Sequence, residues 1–221
     1  MNDAYLDTVR LLLSIAPDVF ATPRFAMKGG TAINLFLQDL PRLSVDIDVV
    51  FLSHEPSRDE ALNQISEELA RASRAIERQG YSVRYSSTAP GDKKKGNEVK
   101  LTVFSEETSV KVEVNYVYRG TLLAPQLRPL VQHARETFNV ELELPTLHEA
   151  ELYGSKLVAA MDRQHPRDIF DVMHMFETLG LRADIVDAFV GYVVGHNRPV
   201  HEARSERPSL SHRRMMQNSL A

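Results

Sequence analysis

Cysteine is absent from the 221-residue sequence, so the protein has neither a disulfide framework nor a zinc–thiolate site. No apolar run is long enough to cross a membrane, and the N-terminus lacks the basic and apolar regions of a secretory signal. The eight histidines are scattered without metal-ligand spacing. Neither a Walker loop nor a nucleophile-elbow pattern is present. We therefore expect a cytoplasmic protein that has no membrane partner and no hydrolase triad.

The composition is typical of a globular protein. A hydrophobic fraction of 43% and a charged fraction of 25% allow one domain or two small ones. Of the net charge of -4, residues 196–221 contribute +3 and the remainder -7. Such a basic tail can contact nucleic acid, but it is more often solvated chain. A solvated turn is also the favoured interpretation of the triple lysine at 93–95, because no aromatic platform lies beside it.

Apolar periodicity predicts strands interleaved with helices up to about residue 145, followed by helices alone. This pattern indicates an α/β (α+β) fold with a core over residues 1–145, a helical unit over 146–198 and a basic tail over 199–221. We predict a first helix that stops near Pro17, and strands that include residues 25–27, 44–52, 81–87, 98–104, 109–118 and 137–144. Helices are predicted over residues 31–37, 57–80, 146–162, 166–179 and 183–194. The core face of the helix over 166–179 is predicted to comprise Ile169, Val172 or Met173, Phe176 and Leu179.

Two carboxylates lie on the strand predicted over residues 44–52. Alternation places Asp46 and Asp48 on one face of it and the apolar residues on the other. The two acids repel each other unless a cation lies between them. Glu113 has the same alternation in the middle of another strand, and three inward carboxylates on adjacent strands would hold one or two Mg²⁺ ions. A solvated surface strand, or an acid paired with Arg42, is the structural alternative.

A glycine pair followed by threonine precedes this strand by one short helix. Gly29-Gly30-Thr31 is explained equally well as a tight turn with Thr31 capping the helix. Beside the carboxylate strand, however, backbone N–H groups at a helix start form a candidate triphosphate cradle, to which Lys28 adds charge.

A lysine lies in a predicted helix segment, residues 153–160, whose other residues are mostly small or apolar. For Lys156, phosphate binding is slightly favoured over a surface lysine that snorkels past the core. A buried Arg–Asp latch between two helices is the structural interpretation of Arg163, Arg167 and Asp168.

Taken together, four motifs resemble those of the AbiEii/AbiGii nucleotidyltransferase toxin family, which includes the mycobacterial MenT toxins. The resemblance spans about residues 25–198. The motifs are Gly29-Gly30-Thr31-Ala32, Arg42-x-Ser44-x-Asp46-Ile47-Asp48, Glu113 within Val-Glu-Val-Asn, and Lys156 … Arg163 … Pro166-Arg167-Asp168-x-x-Asp171. The resemblance implies a polymerase-β-like nucleotidyltransferase core with a mixed sheet, plus a C-terminal helical unit. Family members are toxins of bacterial toxin–antitoxin or phage-defence systems, and several add nucleotides to tRNA acceptor ends.

The resemblance also implies roles for individual residues. Asp46 and Asp48 would hold Mg²⁺ or Mn²⁺, and Glu113 would be the third carboxylate. Lys156 would grip the nucleotide, and Asp168 or Asp171 would fill the last acidic position. The set expected to bind the NTP phosphates comprises Lys28, Gly29, Gly30, Thr31, Arg42, Ser44 and Lys156. The expected partners are an NTP, tRNA and a cognate antitoxin. A non-catalytic binding module, or an enzyme that nucleotidylates protein or a small molecule, is the alternative.

Overall fold

The computed structural model describes residues 3–86, 98–115 and 119–195. The chain divides into two compact units, Met1–His148 and Glu149–Ala221, which we call the sheet unit and the helical unit. The triple lysine at 93–95, the end of the strand predicted up to residue 118, and the basic tail lie outside the described residues. Within the described residues, no helix is both long and apolar enough to cross a membrane.

The described residues of the sheet unit form seven strands and four helices. In chain order they are α1 (Asp3–Val19), β1 (Phe25–Lys28), α2 (Gly29–Phe36), β2 (Asp46–Phe51), α3 (Arg58–Arg78), β3 (Ser82–Ser86), β4 (Glu98–Phe104), β5 (Ser109–Asn115), β6 (Gln126–Pro129), α4 (Gln132–Phe138) and β7 (Glu143–Thr146). The strands form one sheet in the order β3-β4-β5-β2-β1-β7-β6. The β2–β5 and β1–β7 pairs are parallel and the others antiparallel. The predicted mixed α/β fold is confirmed.

One face of strands β2, β4 and β5 is apolar and buried. Helices α1 and α3 contact these strands, and α3 begins with a capping box formed by Ser57 and Glu60. The fully buried residues of this face are Ile47, Val49, Leu101, Val103, Val110, Val112 and Val114. The alternate residues of the same strands include the polar side chains Asp46, Asp48, Lys100, Thr102, Lys111 and Glu113, together with the apolar Val50 and Phe104.

Three predicted boundaries in the sheet unit are wrong. Helix α1 continues through Pro17 to Val19, because Pro17 lies in the last turn and the Phe20 N–H still bonds the Ala16 carbonyl. Helix α2 begins at Gly29, so Thr31 is a helical residue and not the cap. The strand predicted over residues 137–144 starts only at Glu143, because α4 extends to Phe138 and ends at Asn139 in the left-handed conformation.

The helical unit consists of α5 (Glu149–Arg163), α6 (Pro166–Thr178) and α7 (Ala183–Val194). Helix α5 packs against both α6 and α7. At the α5–α7 crossing, a Cβ atom on Gly154 would lie 2.6 Å from the backbone N of Phe189 and 2.8 Å from the Cβ of Ala188. Nearby, the buried Tyr192 hydroxyl lies 2.9 Å from Glu151 Oε1 and donates a hydrogen bond to it. The two helices can therefore approach this closely only because residue 154 has no side chain.

Gly154→Ala is expected to destabilise the protein by about 2 kcal/mol. The added methyl group meets backbone atoms, which places the overpacking cost near the upper end of roughly 1–3 kcal/mol. The better helix propensity of alanine offsets about 1 kcal/mol of that cost. Urea unfolding measures the difference, with Ser155→Ala on the same helix as the control. A Gly154→Ala variant as stable as the control would contradict the close crossing.

The predicted core face of α6 is wrong. Met173, Phe176 and Leu179 are exposed by 56%, 47% and 37%. The buried residues of this helix are Asp168, Asp171 and Met175. Both carboxylates pair with a lysine of α5, so ion pairing rather than apolar periodicity selects the buried face of this helix.

Candidate active site

Strand β2 places its two carboxylates on one face, in the middle of the sheet. Asp46 is exposed and Asp48 is half-buried, while Ile47 between them is fully buried. In the parallel β2–β5 ladder Asp48 is the partner of Glu113, and in the antiparallel β1–β2 ladder it is the partner of Lys28. Directly paired residues project on the same side of a sheet. The structure thus brings Lys28, Asp48 and Glu113 together in one row across three strands.

Gly29 allows the carboxylate of Asp48 to lie against the start of α2. A Cβ atom at position 29 would lie only 2.0 Å from Asp48 Oδ2, and the backbone φ of Gly29 is +78°. Both the close approach and the positive φ require glycine. The helix N-terminus is favourable for negative charge, and the N-cap residue Lys28 makes no side-chain capping bond there. This end of α2 therefore has the backbone geometry of an anion site.

Residues before β2 enclose the second glycine. A Cβ atom on Gly30 would lie 2.8 Å from Arg42 Nη2 and 3.1 Å from Ser44 Oγ. The buried Thr31 hydroxyl donates to the Asp46 carbonyl at 2.5 Å and lies 3.0 Å from Ser44 Oγ. These bonds fasten the first turn of α2 to the start of the carboxylate strand. Arg42 supplies the positive charge of this group, while Thr31 and Ser44 act as positioning residues.

Glu113 is paired with a lysine that the sequence analysis did not identify. Lys100 Nζ lies 2.9 Å from Glu113 Oε1, and the two residues are directly opposite each other in the β4–β5 ladder. Within residues 3–86, 98–115 and 119–195, no group of three or more His, Asp or Glu side chains lies close enough together to hold a metal ion. Alternation along β4, combined with the strand register, is the signal that identifies Lys100. The three-carboxylate ligand set stays a prediction.

The donor chemistry of the two aspartates fits a hard divalent cation. Asp46 and Asp48 are two residues apart on one strand and offer only carboxylate oxygens, which Mg²⁺ and Mn²⁺ prefer. Asp46 is exposed, so an ion can reach it from solvent.

The helical unit holds the remaining predicted site residues in a buried ion cluster. Lys156 Nζ lies 3.1 Å from Asp168 Oδ1 and 3.1 Å from Asp171 Oδ2, and all three side chains are at most 7% exposed. The predicted ion pair of Arg163 with Asp168 is present at 3.0 Å, but the Arg163 side chain is 62% exposed, so the predicted burial is wrong for the arginine. Arg167, in contrast, makes no ion pair with another described residue. Lys156 is therefore buried and paired, and not a snorkelling surface lysine.

The AbiEii sequence profile, described as a nucleotidyl transferase AbiEii toxin of type IV toxin–antitoxin systems, matches residues 10–220. The chain belongs to the AbiEii family. The solved structure of MenT4, a nucleotidyltransferase toxin from Mycobacterium tuberculosis H37Rv, is similar to this AbiEii chain with a TM-score of 0.64 and 21% identity. The similarity covers 93% of this chain and 74% of that chain. No curated protein shows significant sequence similarity to the chain.

These findings confirm the predicted family and the nucleotidyltransferase fold. The AbiEii chain is a nucleotidyltransferase enzyme and the toxin of a toxin–antitoxin pair, with an NTP as its substrate and an antitoxin as its partner. At 21% identity the likeness to MenT4 shows the fold alone.

Proposed function

We propose that this AbiEii enzyme transfers NMP from an NTP to the 3′ hydroxyl of a tRNA, with Mg²⁺ or Mn²⁺ as cofactor. One observation carries the proposal: Asp48, which shares a strand face with Asp46, lies against the glycine-led N-terminus of α2. A cation site beside an anion site is the arrangement that metal-bridged phosphate chemistry requires.

The triphosphate is assigned to the first turn of α2. Gly29 and Gly30 carry no side chains at this turn, so Asp48, Arg42 and Ser44 lie directly against it. We assign the phosphates to the backbone N–H groups of this helix end. The Arg42 guanidinium beside Gly30 and the Lys28 ammonium add positive charge next to the helix end. Thr31 and Ser44 keep the turn in register with β2 through their hydroxyl contacts.

The metal is assigned to Asp46 and Asp48. When bound, a divalent cation neutralises charge on the phosphates and makes the acceptor hydroxyl more acidic. Glu113 is in register to join the two aspartates, and its pairing with Lys100 offsets its negative charge beside Asp48. The three acids can therefore remain neighbours without full mutual repulsion.

The reaction joins the acceptor oxygen to the α-phosphorus of the NTP and breaks the bond from that phosphorus to the bridging oxygen. Pyrophosphate leaves, and the hydroxyl proton passes to solvent. Arg42 and the α2 N-terminus, placed at the phosphates, stabilise the negative charge that develops on the departing pyrophosphate. Arg42 and the α2 N-terminus thus contribute to the reaction by positioning the phosphates and by neutralising their charge.

For the helical unit, we carry the family roles over as proposals. Lys156 contacts the nucleotide, and Asp168 or Asp171 fills the last acidic position. The buried ion pairs among these three residues supply a structural role as well. We also propose a cytoplasmic location, where NTPs and tRNA are found, and a place in a toxin–antitoxin or phage-defence system.

The test of this proposal is a transfer assay with the purified chain, total RNA and each of the four α-³²P-labelled NTPs, with Mg²⁺ or with EDTA. Label is expected in a tRNA-sized band with at least one NTP, and EDTA is expected to abolish it. Omission of RNA is the control. Label in a protein band instead of an RNA band would show that the acceptor is a protein and not a tRNA. NTP binding without label in any acceptor would indicate a non-catalytic module.

A further inference from the structure

The polar face of strands β3, β4 and β5 extends the carboxylate face of β2 outward. In one row, Asp46 of β2 pairs with Lys111, Lys111 with Thr102, and Thr102 with Arg84. Arg84 and Lys111 are exposed. In the adjacent row, Asp48 pairs with Glu113 and Glu113 with Lys100. Both rows pass from an acid on β2 to a base on an outer strand.

The two rows together contain three acids and three bases. Their acids, Asp46, Asp48 and Glu113, all belong to the proposed metal set. Arg84 and Lys111 make no ion pair with another described residue, whereas Lys100 is paired with Glu113. Arg84 and Lys111 are thus exposed bases without a carboxylate partner among the described residues. Lys111 lies directly beside Asp46, and Arg84 lies two strands further out.

An aromatic ring lies within the same surface. The Arg84 guanidinium is 5.1 Å from the ring centroid of Phe104, which is a cation–π contact. Basic side chains that follow a backbone, together with aromatic rings on which bases stack, are the recurring chemistry of single-stranded nucleic-acid binding. We call Arg84, Lys100, Phe104 and Lys111 the basic strand face.

We propose that the basic strand face binds the phosphate backbone of a single-stranded nucleic acid whose 3′ end reaches Asp46 and Asp48. The inference rests on the proposed function for the direction in which the nucleic acid lies, since in that function only its 3′ end carries the reacting hydroxyl. Three strand spacings separate β2 from β3, roughly 14 Å at about 4.8 Å each. That distance is the rise of about four stacked nucleotides at roughly 3.4 Å each, enough for the unpaired end of an acceptor.

The experiment measures binding of a fluorescein-labelled 12-nucleotide single-stranded RNA to the full chain by anisotropy, in EDTA and without NTP. The double variant Arg84→Gln/Lys111→Gln is compared with wild type between 50 and 200 mM KCl. The matched control is Arg74→Gln/Arg78→Gln, which removes two exposed arginines from α3, the helix that contacts β3 and β4. Circular dichroism melting verifies that the variants are folded.

At 50 mM KCl the Arg84→Gln/Lys111→Gln variant is expected to bind the RNA at least about tenfold more weakly. Loss of two phosphate contacts reduces the slope of log affinity against log salt by about 1.4. Between 50 and 200 mM KCl the variant should therefore lose roughly sevenfold less affinity than wild type. The control variant should match wild type within about twofold.

Unchanged RNA affinity and salt slope in Arg84→Gln/Lys111→Gln would overturn the proposal. The transfer assay separates the two proposals. If RNA binding depends on this face but the wild-type chain transfers no label, the proposed function alone is overturned. If Arg84→Gln/Lys111→Gln transfers label with the same KM for the acceptor RNA as wild type, the basic strand face alone is overturned.

Discussion

Asp48→Asn is expected to reduce nucleotide transfer by at least about a thousandfold while the protein stays folded. Asparagine preserves the size of the side chain beside Gly29 but removes the charge that a divalent cation requires. Loss of one preorganised electrostatic group commonly costs roughly 10²–10³ in rate, and loss of a metal ligand acts on both binding and chemistry. The measurements are the single-turnover rate of label transfer and growth arrest on expression of the variant in cells.

Glu107→Gln is the matched control, because Glu107 is an exposed acid in the turn between β4 and β5. It should leave both the transfer rate and the melting temperature unchanged. Asp48→Asn should melt within a few degrees of wild type, since Asp48 is only half-buried and one of its ladder partners is another acid, Glu113. If Asp48→Asn transfers nucleotide within tenfold of wild type, the assigned metal position is incorrect.

Lys156→Met is expected to destabilise the protein by about 3–5 kcal/mol. The substitution leaves Asp168 and Asp171 buried with no ammonium between them, and an unpaired buried charge is costly. Arg163, the other cation at this cluster, contacts only Asp168 and is largely exposed, so it cannot replace the lysine. Urea unfolding of the full chain measures the loss.

Two further variants separate the structural role of Lys156 from its proposed role in nucleotide binding. Arg163→Met removes an exposed ion pair and should cost less than about 1 kcal/mol. In Lys156→Met/Asp171→Asn, Asp168 is the one carboxylate left in the cluster, and it keeps its ion pair with Arg163. This double variant should therefore recover much of the lost stability. If it also recovers wild-type NTP affinity, Lys156 is structural only. Recovery of stability with NTP affinity still reduced supports the nucleotide contact.

Alternation made the carboxylate face of β2 predictable. In a strand that is buried on one side, apolar and polar residues alternate with a period of two. Asp46 and Asp48 could therefore be placed on one face without knowledge of the neighbouring strands. Alternation within β2 does not show which other strands pair with it, so its neighbours could not be predicted in this way. The parallel pairing with β5 brings Glu113 next to Asp48, and the pairing of β4 with β5 brings Lys100 to Glu113. Those contacts depend on register between segments distant in sequence.

The errors have a common physical origin in tertiary contacts that override local patterns. In α6 the apolar residues Met173 and Phe176 are exposed, and the helix buries Asp168 and Asp171 because their partner Lys156 lies on α5. At α2, the threonine is a good N-cap by type, but the close approach of Asp48 to Gly29 starts the helix two residues earlier. Neither effect leaves a signal within the segment itself.

The sheet order also constrains when the enzyme can become active during its own synthesis. Strand β1, which ends at the residue before the glycine pair, is paired on one side by β7, with Met27 opposite Thr146. The ribosome adds about 5–20 residues per second, so roughly 6–24 s separate the synthesis of these two partners. Until then β1 has an open edge and the sheet is incomplete. A nascent chain therefore cannot complete the sheet around its glycine pair until the sheet unit is almost fully translated.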